Sequence, residues 1–250
     1  RDQIKLLDDS NKELEQFAYV ASHDLQEPLR KITAFSDLLK EQYADKLEGE
    51  GDLYLNRITA SAIRMRRLIT DLLEYSRAGR IDIEKVKTVK LSKVVSDMLD
   101  DYEMAIHDKS AKITLGKLPK VQGTETEYRQ VFQNLVSNAL KFSNQKITPE
   151  ISITSEKASN ELITKYPSLD TTQKYYLIKV SDNGIGFEKE HADRIFSIFQ
   201  RLHGKEEYEG TGIGLSITRK IIEKNGGLIF AESSPGKGAT FNIILPSIST

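Results

Sequence analysis

Three polar side chains recur at helical spacing in the segment EYRQVFQNLVSNALKFSN, residues 127–144. Asn134, Asn138 and Lys141 stand at i, i+4 and i+7, so they share one face of a predicted helix, opposite an apolar face. Amide oxygens suit Mg²⁺, and a lysine on the same face can reach a phosphate group. This face indicates a metal–phosphate site, although two exposed asparagines on an ordinary surface helix would give the same pattern.

Two glycine loops supply a second phosphate-binding signal. The sequence DNGIG at 182–186 follows a strand-like run, and GTGIGLS at 210–216 opens a helical one. Glycine lets the backbone approach a ligand closely, and a helix N-terminus presents free N–H groups to phosphate. The spacings GxxxxGK[ST] and GxGxxG are both absent, which excludes a P-loop and a dinucleotide-binding turn. Tight turns also use glycine, so neither loop is decisive alone.

A histidine and an acid stand side by side in SHDLQEPLRK, residues 22–31. His23 is a candidate nucleophile, because neutral imidazole can carry a phosphoryl group near pH 7. The surrounding heptads assign His23 an f-like position that points away from the helix partner, and Asp24 could orient its ring. A helical histidine is most often a plain surface residue, so position alone does not establish the role. Pro28 removes a backbone donor one turn later, which predicts a bend.

The elements around His23 are predicted to be two long helices. Apolar residues step by threes and fours from Ile4 to Leu39, and a second such seam runs from Leu55 to Ser76. A polar turn at 46–52 separates them, so the pattern indicates an antiparallel hairpin. Burial of both seams favours dimerisation into a four-helix bundle. The alternative is a monomeric hairpin that packs on the rest of the chain.

The region after SRAGR, residues 76–80, predicts a second domain of α+β type. Residues 156–173 are polar and are expected to form a long hairpin loop, and Thr124 with Glu127 has the spacing of a capping box. Strands and helices alternate without strict βαβ order, so the expected fold is a sandwich of one sheet covered by helices. Strand-like runs occupy 112–118, 150–155, 175–182, 227–234 and 239–246, and helical segments occupy 91–108, 124–143, 188–199 and 212–225.

Composition excludes several classes of function. A net charge of −1 argues against nucleic-acid binding, which needs a basic surface. The absence of cysteine removes disulfides, thiolate metal sites and cysteine nucleophiles, and fits a cytoplasmic location. No apolar run approaches the roughly 18 residues that span a bilayer, so no direct membrane contact is expected. The chain begins RDQIKLL without methionine, and we expect it to be part of a longer protein.

Five motifs together resemble those of sensor histidine kinases of two-component systems. SHDLQEPLRKI is similar to their H box, in its phytochrome-like variant, and EYRQVFQNLVSNALKFSN is similar to their N box. VSDNGIGFE, IFSIFQRLHG and GTGIGLSI resemble the G1, F and G2 boxes. All five occur in the family order. The resemblance implies a dimerising, histidine-phosphoaccepting hairpin followed by an ATP-binding domain of the GHKL type.

The resemblance also implies roles for single residues. Asn138 would bind Mg²⁺ with support from Asn134, Lys141 would contact phosphate, and Phe142 would help to wall the adenine pocket. Asp182 would accept a hydrogen bond from the adenine amino group. The other nucleotide-binding residues would be Gly184 and Gly186 beneath the base, Gly210, Thr211, Gly212, Gly214 and Leu215 at the phosphates, Phe199 and Arg201 in a mobile lid at 187–209, and Thr240 near the adenine.

The implied reaction is transfer of the γ-phosphoryl group of ATP to His23 and then to an aspartate of a response-regulator receiver domain. Related hydrolases carry a glutamate base where this chain has Asn134, which disfavours ATP hydrolysis. Glu27 stands where kinases with phosphatase activity carry Thr or Asn, which makes phosphatase activity doubtful. Besides an active kinase and an ATP hydrolase, a third hypothesis is a degenerate kinase that serves only as a dimeric scaffold. The intact nucleotide-binding motifs disfavour it.

We expect three parts along the chain. A coiled-coil signalling helix at 1–15 would lead into a dimerisation and phosphoacceptor domain at 16–82, and a catalytic ATP-binding domain would occupy 83–250. The expected partners are a second copy of the chain, a receiver domain and an upstream sensor domain that lies outside this sequence.

Overall fold

A computed structural model describes residues 22, 24–43, 49–79, 86–144, 146–202 and 210–248. His23, the predicted coiled-coil start and part of the predicted lid, including His203, lie outside the described residues. The chain divides into two compact units between Arg77 and Ala78. The described part of the first unit is helical and the second contains the sheets, which is the order that the sequence predicts.

The described part of the first unit contains two antiparallel helices. Helix α1 covers residues 24–42 and continues through Pro28, and helix α2 covers Glu50–Ala78. Hydrogen bonds join Gln26 Nε2 near the start of α1 to Thr70 Oγ1 (3.4 Å), and Lys40 Nζ near its end to Asn56 Oδ1 (2.9 Å). The predicted helical hairpin is therefore confirmed, and the predicted bend at Pro28 stays a prediction.

On α2 the predicted seam residues Leu55, Ala62 and Ile69 are buried, whereas the described seam residues predicted on α1 are exposed and the buried residues of α1 lie beside them. On α1 the buried side chains are Leu29 and Ser36, seven residues apart, and Leu29 forms a buried cluster with Ala62 and Ile69 of α2. Seam residues on the neighbouring side of both helices are exposed, and we call them the exposed seam: Leu25, Ile32, Phe35, Leu39, Ile58, Met65 and Leu72. The hairpin thus has a second apolar face besides the one that joins its own helices.

In the second unit, the described residues form seven strands in two sheets. The strands are β1 (Lys87–Lys90), β2 (Lys112–Leu115), β3 (Lys120–Gly123), β4 (Glu150–Lys157), β5 (Tyr175–Asp182), β6 (Leu228–Ser233) and β7 (Ala239–Pro246). Five of them form a mixed sheet in the order β2-β4-β5-β7-β6, in which only β2 and β4 pair in parallel. The other two, β1 and β3, pair separately. In the large sheet, the end of β5 and the end of β6 both lie beside the start of β7.

Five helices accompany these strands in the part of the unit that the structure describes. They are α3 (Leu91–Asp101), α4 (Glu103–Asp108), α5 (Glu125–Lys141), α6 (Asn160–Thr164) and α7 (Gly214–Lys224). Helix α5 begins where Thr124 Oγ1 accepts the N–H of Glu127 (3.3 Å), as the capping box predicts. The Glu127 carboxylate pairs with Lys224 at the end of α7, and both side chains are largely buried. This ion pair and the apolar stripes of α5 and α7 hold the two helices side by side.

Three predicted elements differ from the observed ones. Residues 188–199, predicted to be a helix, form two short 3₁₀ turns at Lys189–His191 and Arg194–Phe196. Their buried side chains, Ile195 and Phe196, are adjacent, so the segment lacks the spaced apolar stripe of a packed helix. The predicted helix 91–108 is broken at Tyr102, which separates α3 from α4.

The predicted loop at 156–173 also contains regular structure. Strand β4 continues to Lys157, and the short helix α6 follows Ser159, whose hydroxyl accepts the N–H of Leu162 (3.2 Å). Ile163 of α6 is buried with Leu169 and with residues of the sheet. A single cap and one buried isoleucine are weak signals in a polar sequence, which explains why the prediction of a plain loop was wrong. Strands β1 and β3 were not predicted either.

Candidate nucleotide-binding site

The polar face of α5 lies against the start of α7. The side-chain amide of Asn134 donates from Nδ2 to the carbonyl oxygen of Gly214 (2.9 Å) and to Thr218 Oγ1 (3.3 Å). The Thr218 hydroxyl in turn donates to the same carbonyl (3.0 Å). Asn138 stands one turn further along α5 on the same face and is partly buried. The structure therefore joins the predicted metal–phosphate face to the second glycine loop.

Lys141 lies beside the beginning of that glycine loop. A methyl group placed on Gly210 would lie 2.8 Å from Lys141 Nζ, so the ammonium group approaches the loop backbone closely. The same ammonium stands 4.4 Å from the ring centroid of Phe142. Gly210 and Gly212 have φ angles of 151° and 77°, which favour glycine. These contacts place a fixed cation next to backbone that could bind an anion.

Among the described residues of the predicted lid, Phe199, Gln200 and Arg201 lie beside this loop. A methyl group on Gly212 would lie 3.0 Å from the carbonyl carbon of Phe199 and 3.2 Å from Arg201 Cγ. Phe199 has a positive φ of 62°, which is unusual for a bulky residue, and its side chain is 58% exposed. Thr211 and Leu215 flank Gly212 and Gly214, and Thr211 Oγ1 accepts the N–H of Ile213 (3.4 Å).

Asp182, at the end of β5, forms the centre of a separate cluster. Its Oδ1 accepts hydrogen bonds from the N–H groups of Gly184 (2.8 Å) and Ala239 (3.3 Å). Burial raises the pKa of the Asp182 carboxyl above its ordinary value, and the two N–H groups partly oppose that rise. Because Oδ1 holds both backbone donors, Oδ2 is the oxygen with which the carboxylate can accept a hydrogen bond from a ligand.

The turn after Asp182 is packed so closely that side chains would not fit. A methyl group on Gly184 would lie 2.5 Å from the carbonyl oxygen of Phe142, which also accepts the N–H of Ile185 (2.9 Å). A methyl group on Gly186 would lie 2.2 Å from the carbonyl oxygen of Ser234, and Gly186 has a φ of 62°. The turn is therefore held between the end of α5 and the β6–β7 connection.

Thr240 lies next to the Asp182 cluster. It pairs with Ser181 in the β5–β7 register, and its hydroxyl donates to Ser181 Oγ at 2.9 Å. The structure thus brings together Asp182, Gly184, Gly186, Phe142 and Thr240 at one end of the sheet. The contacts of Asn134, Lys141, Gly210 and Gly214 join the polar face of α5 to the second glycine loop.

Sequence reasoning missed several residues of this site. Ser233, Gly238 and Ala239 surround Asp182, and Thr218 contacts Asn134. The segment SSPGKG at 233–238 carries a turn signal, but a turn signal alone does not say which residues the turn contacts. Among the described residues, no group of three or more His, Asp or Glu side chains could hold a metal ion.

Asp24, the predicted neighbour of the nucleophile, is exposed on α1. Its predicted partner His23 lies outside the described residues, so the contact between the two stays a prediction. Glu27 is also exposed and pairs with Lys31, one helical turn later, at 2.8 Å.

Comparison with known protein families identifies two domains in this chain. Residues 123–248 match the family described as histidine kinase-, DNA gyrase B- and HSP90-like ATPases, and residues 13–80 match the His Kinase A (phospho-acceptor) domain. These are the two domains of a protein histidine kinase, in the order that the sequence motifs indicate. The chain belongs to the sensor histidine kinase family. The resemblance drawn from its five motifs is confirmed.

This histidine kinase is similar to a cyanobacterial phytochrome and to a phytochrome-like protein. It is 39% identical over 242 residues to cyanobacterial phytochrome A of Nostoc sp. strain PCC 7120, covering 96% of this chain and 29% of that protein. It is 35% identical over 240 residues to the phytochrome-like protein Cph1 of Synechocystis sp. strain PCC 6803, covering 96% and 30%. The kinase therefore spans less than a third of the length of these relatives.

Solved histidine kinases share its fold. Full-length ShkA in complex with AMPPNP gives a TM-score of 0.67 at 22% identity, over 94% of this chain and 46% of that one. The catalytic domain of histidine kinase ThkA gives 0.51 at 25% identity, over 65% of this chain and 95% of that one. Within the described part of the kinase, no helix combines the length and the apolar character that a membrane span requires.

Proposed function

We propose that this kinase transfers the γ-phosphoryl group of ATP to the imidazole of His23. The observation that carries the proposal is the link from Asn134 to Gly214, because it joins the polar face of α5 to a helix N-terminus that can bind phosphate. A second cluster around Asp182 supplies a buried acceptor for a nucleobase. Phosphate-binding and base-binding groups in one domain support a nucleotide as the substrate.

The Asp182 cluster supports adenine as the base. A carboxylate oxygen accepts a hydrogen bond from an amino group, as at C6 of adenine, and repels the carbonyl oxygen that guanine carries there. Phe142, Thr240 and the backbone of Gly184 and Gly186 would complete the pocket. ATP also fits the family match, and the similar kinase ShkA was solved with the ATP analogue AMPPNP.

The side-chain amide oxygens of Asn134 and Asn138 suit a Mg²⁺ ion that arrives with the nucleotide. Asn134 uses its amide nitrogen to bind Gly214 and Thr218, so Oδ1 is the atom that it can offer to a cation or its water. Asn138, one turn later, would be the direct ligand. Mg²⁺ commonly takes few protein oxygens and completes its shell with phosphate and water. Bound there, it would neutralise phosphate charge.

In the reaction, the protein's own residues would position the phosphates of ATP and neutralise their negative charge. Lys141 and Arg201 would contact the phosphates, and the N–H groups of the loop at 210–214 would bind phosphate oxygens. The His23 imidazole would attack the γ-phosphorus while the bond to the β–γ bridging oxygen breaks, which releases ADP. Asp24 would orient the imidazole and accept its proton. The neutral amide of Asn134 cannot deprotonate water, which favours His23 over solvent as the acceptor.

The same proposal extends to partners and domain boundaries. The exposed seam would pack against a second copy of the chain, and the phosphoryl group would pass from His23 to an aspartate of a receiver domain. An upstream sensor domain would act through a signalling helix at 1–15, with the phosphoacceptor domain at 16–82 and the catalytic domain at 83–250. We propose weak or absent receiver phosphatase activity because of Glu27, and a cytoplasmic location for these domains.

One labelling experiment tests the proposal against its alternatives. The chain is incubated with γ-³²P-labelled ATP and Mg²⁺, and the protein is examined for acid-labile, base-stable label. We expect label on the wild type and none on His23→Ala. His107→Ala is the matched control, because His107 is an exposed histidine of α4, and it should label normally. Free phosphate without labelled protein would favour a hydrolase instead, and neither product would favour a scaffold.

A further inference from the structure

The Ser233 hydroxyl bridges two backbone segments on either side of it. Its Oγ accepts the N–H of Phe187 (2.8 Å) and donates to the carbonyl oxygen of Gly238 (2.7 Å). Phe187 ends the turn that follows Asp182, and Gly238 precedes β7. Ser233 itself is the last residue of β6 and is partly buried. One hydroxyl thus uses both its acceptor and its donor to join two loops.

Both of these loops hold the Asp182 carboxylate. Gly184, in the first loop, and Ala239, directly after Gly238, donate their N–H groups to Asp182 Oδ1. A further bond from the N–H of Gly236 to the carbonyl oxygen of Ile185 (2.7 Å) links the loops on the side of Ser233. The β5–β7 pairing places Ala239 beside Asp182, and the contacts between the loops, those of Ser233 among them, hold the Gly184 turn in position against it.

We propose that Ser233 is a positioning residue that sets the preference of this site for adenine. The inference rests on the proposed binding of ATP and names a residue that determines its base specificity. Ser233 keeps the two N–H donors converged on Oδ1, and this fixes Oδ2 in the direction of the base amino group. Without the hydroxyl, the Phe187 N–H and the Gly238 carbonyl oxygen each lose their hydrogen bond to Ser233, the loops separate, and the carboxylate can rotate.

A rotated carboxylate would affect ATP and GTP differently. ATP loses affinity, because its amino group no longer meets a fixed acceptor. GTP loses less, because its C6 carbonyl is repelled by a correctly placed carboxylate and is repelled less by a misplaced one. A general loss of stability would weaken both nucleotides alike. The ratio of the two affinities therefore separates positioning from a purely structural role.

The test compares Kd values for ATP and GTP, each with Mg²⁺, in the full chain and its variants. We expect Ser233→Ala to raise the Kd for ATP about tenfold, as the loss of one to two hydrogen bonds implies, and to lower the ATP-to-GTP preference about fivefold. Ser233→Thr keeps the hydroxyl and should restore both values to within about twofold. Ser234→Ala is the matched control, because Ser234 is the next residue and is exposed. It should bind like the wild type.

The possible results distinguish a failure of the inference about Ser233 from a failure of the proposed ATP binding. An unchanged ATP-to-GTP preference in Ser233→Ala, with ATP binding intact in the wild type, overturns the inference alone. A wild type that does not bind ATP overturns the proposed function as well. If Ser233→Ala shows no cooperative thermal unfolding, Ser233→Cys takes its place, since a thiol keeps the volume and weakens both hydrogen bonds. A cysteine variant with wild-type preference would overturn the inference in the same way.

Discussion

The side-chain amide of Asn134 donates a hydrogen bond to the carbonyl oxygen of Gly214, 80 positions later in the chain, at 2.9 Å. This bond fixes the orientation of the amide, because a flipped amide would set its oxygen against the Gly214 carbonyl. The α-carbon of Gly214 lies against the same amide, and a methyl group there would stand 3.2 Å from Asn134 Oδ1. The first turn of α7 and the polar face of α5 therefore act as one unit.

Gly214→Ala tests this contact without straining the backbone. Alanine is favoured over glycine in a helix by about 1 kcal/mol, so we expect the thermal midpoint to change little or rise. The added methyl group would push the Asn134 amide aside, and we expect Kd for Mg²⁺–ATP to rise about tenfold, in line with the loss of one fixed polar contact. Isothermal titration calorimetry measures the affinity, and differential scanning calorimetry measures the stability.

The matched control for that substitution is Glu223→Ala, which removes an exposed side chain from the same helix. It should leave nucleotide affinity unchanged. A Gly214→Ala protein that binds Mg²⁺–ATP like the wild type would show that the Asn134 amide need not be held in this position.

Asp182→Asn separates the binding role of the carboxylate from its effect on folding. Asparagine can keep an oxygen for the N–H groups of Gly184 and Ala239, but it presents an amide donor to the adenine amino group. We expect ATP affinity to fall by more than tenfold, since a buried donor–donor contact replaces a hydrogen bond. At pH 7 the nucleotide-free variant should unfold at no lower temperature than the wild type, because a carboxyl whose pKa is raised by burial is destabilising when ionised.

The same raised pKa predicts a pH dependence of ATP binding. The ionised carboxylate is the form that accepts the amino group, and burial raises the pKa of Asp182 above its ordinary value of 3.8. ATP affinity should therefore fall as the pH drops through the raised pKa, at a higher pH than for an exposed aspartate. Stability of the nucleotide-free protein should rise over the same interval, since the folded state then binds the extra proton. Asp182→Asn should show neither change.

Phe35→Glu tests whether the exposed seam joins two copies of the chain. Phe35 is 63% exposed in one protomer, so a charge there costs the hairpin little but would be buried in a dimer. We expect the variant to sediment as a monomer under conditions in which the wild type sediments as a dimer. Asp37→Lys alters charge at an exposed position on another side of α1 and should leave the dimer intact. A wild type that is monomeric at all concentrations tested would contradict the prediction.

Glu27→Thr tests the prediction about phosphatase activity. Glu27 is an exposed carboxylate paired with Lys31, so threonine in its place should not disturb the helix core. A carboxylate near the phosphorylated aspartate of a receiver would repel it, whereas a hydroxyl could orient an attacking water. We expect the wild type to dephosphorylate a phosphorylated receiver no faster than the receiver's own rate, and the variant to accelerate it severalfold, measured with ADP present. Rapid dephosphorylation by the wild type would contradict this.

Local spacing was enough to predict the polar face of α5 and the bounds of two strands. The stripe of Asn134, Asn138 and Lys141 depends only on the helical period, and the strands β5 and β7 were predicted with the bounds that they have, 175–182 and 239–246. Both strands are eight-residue, mostly apolar runs bounded by turn residues, a pattern and length typical of a buried strand. The short strands β1 and β3 and the turns at 189–196 carry no such signal, and they were missed or mistaken for helix.

The sequence by itself determined the family, the order of the two domains and the residue types available for chemistry, because these depend on motifs and on periods of a few residues. Only the tertiary structure decided which distant residues meet. Strand order places Ala239 beside Asp182, and the packing of α5 on α7 places Gly214 beside Asn134. The role of Ser233 depends on both, because one hydroxyl bonds residues 46 positions before it and 5 after it. Such contacts depend on how whole elements pack, and the spacing of residues along the chain does not contain that information.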